Sequence, residues 1–269
     1  MRLIVAAADG LRADAQYFPE FMAGFNALAS ATGYEAVDVR EEELTDAIGN
    51  SSGAVVVMTR VAQCDLIDSL FKARYPIVAA NHYRGSQPVS TVRVDDAGAV
   101  ASIVERLVEL RHCRIAFLTG PLDNLDAQDR REGFSEAVAR LALVEAVIQT
   151  SDFHEEGGYE AARQLFSGDV RPTAVICSSD LAAVGVVKAA RELGISVPID
   201  LSVAGFGDFP MVEYVYPSIT TVRQPRFELG RTAARLLIDE VNGREAGPRE
   251  ILLEAELVIR ESTVPKFYV

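Results

Sequence analysis

The 269-residue chain has no tryptophan, three histidines and three cysteines. Cys64, Cys113 and Cys177 lie far apart, and any pairing leaves one over, so neither a disulfide framework nor a C-x-x-C metal site is indicated and a reducing cytoplasm is expected. His82, His112 and His154 have no partner at i+4 and no carboxylate cluster has metal-ligand spacing, so no metal is expected and the histidines are expected at the surface. Basic residues are the minority: 26 Lys and Arg against 39 Asp and Glu give a net charge of −13, which opposes binding to a phosphate backbone. The opening MRLIVAAA stops at Asp9, too short an apolar run for a signal-peptide core or a membrane span, and reads as a first buried strand.

Catalytic and cofactor signatures are scarce too. Neither G-x-G-x-x-G nor G-x-x-x-x-G-K-[ST] occurs, so no cofactor is expected, and there is no G-x-S-x-G elbow for a nucleophilic serine. The AAADG start superficially suggests an aspartyl phosphotransferase, but Leu11 stands where the second carboxylate is needed. An enzyme is therefore not expected.

What is present is alternation. Short, continuously apolar runs such as AVVVM and IAFLTG mark strands buried on both faces, at Leu3–Ala8, Glu35–Val39, Ala54–Met58, Ile77–Ala80, Arg114–Thr119, Ala146–Gln149, Ala174–Cys177 and Val203–Phe206. Between them, helix-period segments fall at Phe18–Ala31, Leu66–Ala73, Ala97–Leu110, Arg131–Ala142, Gly158–Phe166, Leu181–Leu193 and Glu228–Asn242. The pattern predicts an α/β fold of parallel sheets covered by helices, in one large sheet or two smaller ones. Asp180 is expected to cap the helix beginning at Leu181, and Gly194 to end it.

Ligands in such sheets bind beyond the carboxyl ends of strands. That rule selects Asp9, Thr59, Arg60, Asp95, Asp180 and Asp208, each just after an apolar run.

An ordered set of motifs adds a specific resemblance. RIAFLTGP (Arg114–Pro121), RREGF (Arg130–Phe134), PTAVICSSDLAAVGVVKAARELGISVPIDLSVAGFGD (Pro172–Asp208), PSITTVRQPRFELGRTAARLL (Pro217–Leu237) and ELVIRES (Glu256–Ser262) together resemble the effector-binding core of the LacI/GalR family of bacterial transcription regulators. YFPEFMAGF (Tyr17–Phe25) matches more loosely.

The resemblance implies two doubly wound parallel-sheet subdomains joined by three crossovers, like periplasmic sugar-binding proteins, with a small sugar-like effector held in the cleft. It assigns residues 1–94 and 224–247 to one subdomain and 95–223 and 248–269 to the other. Arg130 would be the family's ligand-binding arginine, with an exposed ion pair to Asp126 or Asp129 as the competing reading. Tyr17 and Phe18 match the family's aromatic pair, and Phe153 a position that can hold an aromatic against the ligand. Asp180 would contact ligand or serve the helix start, and Asp95 and Asp96 would contact ligand or serve as polar residues of the crossover. The family's Gly-Tyr/Phe-Asp motif reads Gly205-Phe206-Gly207-Asp208, placing the carboxylate of Asp208 one residue late. Arg130→Ala is expected to abolish ligand binding and leave the fold intact.

The implied function is that of a ligand-sensing and dimerisation core, a homodimer that touches operator DNA only through a helix-turn-helix headpiece absent from this chain. The alternative is the solute-binding protein of a sugar uptake transporter.

Overall fold

The computed structural model describes residues 1–12, 17–58, 60–141, 145–168, 171–244 and 247–266. Thr59 and Ala142 therefore lie outside the described residues. The chain divides into two compact units, Met1–Val94 with Pro225–Glu254, and Asp95–Gln224 with Ala255–Val269.

Unit 1 begins with β1 (Arg2–Ala7), a short α1 (Asp9–Arg12), α2 (Tyr17–Ala31), β2 (Glu35–Arg40), α3 (Leu44–Ala47), β3 (Gly53–Val57), α4 (Gln63–Lys72), β4 (Ile77–Ala80) and β5 (Ser90–Val94). Unit 2 then supplies α5 (Asp96–Glu109), β6 (Arg114–Thr119), α6 (Leu125–Arg140), β7 (Glu145–Thr150), α7 (Glu155–Phe166), β8 (Ala174–Cys177), α8 (Asp180–Glu192), β9 (Ser202–Ala204) and β10 (Thr221–Arg223). The chain returns to unit 1 for α9 (Arg226–Val241) and β11 (Glu250–Leu253), and to unit 2 for β12 (Glu256–Val258).

Each unit is wound on a parallel sheet. The order in unit 1 is β11-β5-β4-β3-β1-β2, and in unit 2 β7-β6-β8-β9, beside an antiparallel β10–β12 pair. Strands β3, β4 and β8 are buried along their whole length, as continuous apolar runs in a sheet covered on both faces must be. The return to unit 1 runs to Glu254, beyond the expected limit at 247, because β11 pairs in parallel with β5 from Glu250 to Leu253.

Side-chain caps fix the helix starts that matter. Asn124 accepts from the Ala127 amide at 2.9 Å, so α6 starts at Leu125 rather than Arg131 and Arg130 sits inside the helix. Ser179, not Asp180, caps α8: its hydroxyl accepts from the Ala182 amide at 3.0 Å, and Asp180 becomes the first helical residue. Gly194 follows α8 with φ +71°, the left-handed geometry expected of a C-terminal glycine.

Helices on the sheets approach through glycines. In unit 1, a Cβ at Gly24 would lie 1.9 Å from the Phe227 carbonyl oxygen, and one at Gly230 2.0 Å from that of Phe21. In unit 2, Gly185 stands equally close to the Glu155 carbonyl and Gly158 to that of Ala182. These contacts let α2 pack on α9, and α7 on α8, backbone to backbone.

Candidate functional site

The carboxyl edge of the unit 2 sheet gathers side chains from far apart in sequence. Arg130, on α6 after β6, is buried to 7% exposure. Its Nη1 donates to the Ser178 carbonyl after β8 at 2.8 Å, and its Nη2 to Asp96 Oδ2 at 3.3 Å. The guanidinium lies over the Phe206 ring, 4.0 Å from its centroid, with Phe153 at 5.9 Å. Gln224 donates to the other oxygen of Asp96 at 3.3 Å.

The competing reading, an exposed pair with Asp126 or Asp129, does not hold: the partner of Arg130 is Asp96, itself buried. A buried ion pair survives loss of water only when its remaining donors and acceptors are satisfied. Yet Arg130 Nε and Ser178 Oγ are both buried with no hydrogen-bond partner among the described residues. Two buried polar atoms without a partner thus stand beside two aromatic rings, groups of the kind that can meet hydroxyls and cover CH faces.

The carboxylates expected to bind ligand are engaged in folding. Asp180 is fully buried; its Oδ1 accepts from Thr221 Oγ1 at 2.5 Å and its Oδ2 from the Phe209 amide at 2.8 Å. Asp208, with φ +57°, turns both oxygens to arginines, Arg223 and Arg260, each at 2.6 Å. Asp95 caps α5 by accepting from the Gly98 amide at 3.0 Å. Three residues selected for following a strand thus hold loops and helix starts, while the neighbour Asp96 holds the arginine.

In unit 1, Tyr17 and Phe18 are both buried at the start of α2. The Tyr17 hydroxyl donates to Asn81 Oδ1 at 2.8 Å, and Asn81, at φ +66° after β4, donates to the Met58 carbonyl at 3.1 Å. Arg226 lies 5.6 Å from the Tyr17 ring and bonds Glu20 at 3.4 Å. Asp9 is exposed after β1.

The histidines depart from expectation, because His82 and His112 are buried and only His154 is exposed. His112 Nε2 bonds the Val264 carbonyl and Nδ1 the Thr173 hydroxyl, both at 3.0 Å, and burial lowers its pKa.

Ser178, Phe206 and Gln224 escaped the sequence reading of the site. The hydrogen bonds of Ser178 and Gln224 within it span 48 and 128 residues, beyond any local periodicity. The adjacent pair Asp95-Asp96 was visible as crossover polarity, and only the fold separates the cap from the arginine's partner.

Comparison with known proteins bears on what this arrangement serves. The family described as "Periplasmic binding protein-like domain" matches residues 104–263. The transcriptional repressor CytR of Escherichia coli K12 is 36% identical over 190 residues, 70% of this chain and 56% of that protein. The transcriptional regulator reg1 of Streptomyces lividans is 33% identical over 238 residues, 83% of this chain and 68% of that protein. A solved complex of the transcriptional regulator CelR with cellobiose superposes with a TM-score of 0.89 and 28% identity, covering 97% of this chain and 84% of that one. The chain spans little more than half the length of CytR.

Proposed function

The chain belongs to the LacI/GalR family of transcription regulators, as their effector-binding core, and from that premise we propose that it senses a neutral, sugar-like metabolite held at the Arg130 cluster of unit 2. The observation that carries the reading is the pair of buried, unfilled polar atoms, Arg130 Nε and Ser178 Oγ, beside Phe206 and Phe153. A sugar hydroxyl can accept from the first and exchange a hydrogen bond with the second, while the rings cover its CH face. The cellobiose bound by the similar CelR supports the same ligand class. Asp180 and Asp208 hold the loops that present this cluster.

The relatives are regulators rather than enzymes, and the reading is binding without turnover: the sugar leaves unchanged. Sensing requires that the ligand favour one of two arrangements by its differential affinity, typically 1–3 kcal/mol of coupling. In the full regulator that bias would act on operator DNA through its DNA-binding segment, with a second copy of the chain as partner. Among the described residues no helix is long and apolar enough to cross a membrane, and the cytoplasm is the compartment proposed.

Thermal unfolding with pentoses, hexoses, disaccharides, sugar acids and purines tests this. At a hundredfold excess over Kd a ligand adds about 2.7 kcal/mol, a rise of roughly 5–10 °C. A rise with neutral sugars that disappears in Arg130→Lys, which keeps the charge but loses the planar fork, is expected. No rise with any sugar, or a rise unchanged in Arg130→Lys, overturns the proposal.

A further inference from the structure

The loop that carries Phe153 is fixed to unit 2 by hydrogen bonds on both sides of the ring. The Ser151 amide donates to the Thr119 carbonyl, at the end of β6, at 2.9 Å. The Phe153 carbonyl accepts from the Ser179 hydroxyl at 2.7 Å, and Asp152 Oδ1 accepts from the His154 amide at 2.8 Å. With its backbone held, Phe153 lays its ring against buried Gly120, where a Cβ would stand 2.4 Å from both Cε1 and Cζ. Gly120 lies outside the left-handed region of backbone space. Room for the ring, and not backbone conformation, therefore calls for a glycine here.

From that seat Phe153 reaches the Arg130 cluster, with its centroid 5.9 Å from the guanidinium carbon. Phe206, at 4.0 Å, is buried, whereas Phe153 is half-buried, so Phe153 is the ring of the two with surface left to offer a ligand. An aromatic face gains most from a flat apolar partner. A cyclic sugar holds its CH groups on one face before it binds. The matching open-chain alditol must freeze its torsions to present the same face, a cost set against its affinity.

We infer that Gly120 is the positioning residue for Phe153, and that the pair makes the site select ring-form sugars over the alditols of the same carbon skeleton. The inference rests on the proposed sugar site at Arg130 and adds the form in which the ligand is taken. Gly120→Ala drives the ring off its seat by turning the side chain alone, because the backbone on either side of it is tied. Hydroxyls of either form can accept from Arg130, so loss of the seat weakens the ring form and spares the alditol.

Calorimetric titration with glucose against glucitol, ribose against ribitol and cellobiose against cellobiitol tests this in the parent chain, Gly120→Ala, Phe153→Leu and the combined variant. The parent should bind a ring form about three- to tenfold tighter than its alditol. Gly120→Ala and Phe153→Leu should each bring that ratio toward one through the sugar's Kd, and the combined variant should match Phe153→Leu, since the ring to be displaced is gone. In the unliganded parent, nuclear Overhauser contacts should join the Gly120 Hα protons to the Phe153 ring. A ratio near one in the parent, a ratio unchanged in Gly120→Ala, additive losses in the combined variant or absence of those contacts would overturn the inference, while sugar binding that is lost in Arg130→Lys leaves the proposed function standing. No binding of any of these sugars would overturn both.

Discussion

The two units solve the same folding problem and then furnish their sheet edges differently. Both are doubly wound parallel sheets whose covering helices are drawn together in pairs by glycine contacts. At the carboxyl edge of unit 2 a charged pair, Arg130 and Asp96, is buried, with the guanidinium over the Phe206 ring. The corresponding edge of unit 1 carries a neutral chain of hydrogen bonds, Tyr17 to Asn81 to the Met58 carbonyl, and an open cavity whose charges remain near water. The difference concerns where electrostatic energy is stored. In unit 2 charge has left water, each partner's removal exposes the other, and site and stability are coupled. Around the unit 1 cavity Asp9, Glu42 and Arg60 lie at the surface, where a pair contributes about 0–1 kcal/mol, and the lining can change with little effect on the fold.

The largest expected effect breaks that contrast at its strongest point. Arg130→Ala leaves the Asp96 carboxylate buried without its cation and is expected to lower stability by about 3–5 kcal/mol. This revises the expectation that the substitution spares the fold, because the arginine read as a ligand contact is also half of a buried ion pair. Chemical denaturation of Arg130→Ala, Asp96→Leu and the combined Arg130→Met/Asp96→Leu chain measures it. The double variant should recover much of the loss, since neither charge is then stranded. In unit 1, Arg60→Ala should change stability by no more than about 0.5 kcal/mol.

Next come the glycine contacts, where the units should behave alike. Alanine in a helix interior is normally favoured over glycine by roughly 0.5–1 kcal/mol. At Gly230 and Gly185, however, the added carbon would stand 2.0 Å from a carbonyl oxygen of the facing helix, so Gly230→Ala and Gly185→Ala should each cost about 1–3 kcal/mol net. Hydrogen exchange sharpens the comparison: protection should fall in α2 and α9 for the first and in α7 and α8 for the second. Unchanged protection in the facing helix would refute the contact.

How much of this was legible beforehand follows from the range of the interactions. Buried parallel strands announce themselves as apolar runs, and Ile77–Ala80, Arg114–Thr119 and Ala174–Cys177 have the expected limits. Strands β10, β11 and β12 are three or four residues long and carry charged ends such as Arg223, Glu250 and Glu256, so their pairing across the fold defines them rather than any local pattern. Arg130 could be found through the spacing of RREGF. Its partner could not, since one of two adjacent aspartates caps a helix and only three-dimensional packing says which. The unit 1 cavity depends on three loops brought side by side by strand order, and Arg60 was visible there only as a residue following a strand.

A smaller effect singles out a carboxylate that unit 1 does bury. Burial pushes the Asp68 carboxyl up, but hydrogen bonds from the Ser86 side chain, the Tyr83 hydroxyl and the Ser86 amide outweigh it and lower the pKa to about 2 from the usual 3.8. A carboxyl depressed in the folded state contributes stability that is present above pH 3.8 and lost as pH falls toward 2. Asp68→Asn should therefore cost about 2 kcal/mol at pH 7, with the difference from the parent chain narrowing as pH falls below 4. Urea unfolding at a series of pH values reads this, and a gap constant with pH would contradict the assignment.

The smallest predicted effect lies in unit 2 and titrates in a different window. His112 is buried against Thr173 and the Val264 carbonyl, and burial lowers its pKa below the ordinary 6.5. A histidine lowered in the folded state binds its proton more readily once the chain unfolds, so its contribution is full above 6.5 and declines as pH falls through the folded value. The melting temperature should drop between pH 7 and pH 5, and His112→Gln, which can still donate to the Val264 carbonyl, should flatten that slope while leaving the Asp68 response below pH 4 intact. Because the Val264 contact anchors the C-terminal segment beside β9, through bonds that Ser202 and Ser262 also make, the protons taken up on acidification should appear first as faster amide exchange at residues 262–264. Equal slopes in the parent and His112→Gln would show that His112 keeps the same proton affinity folded and unfolded, and that its two hydrogen bonds offset its burial.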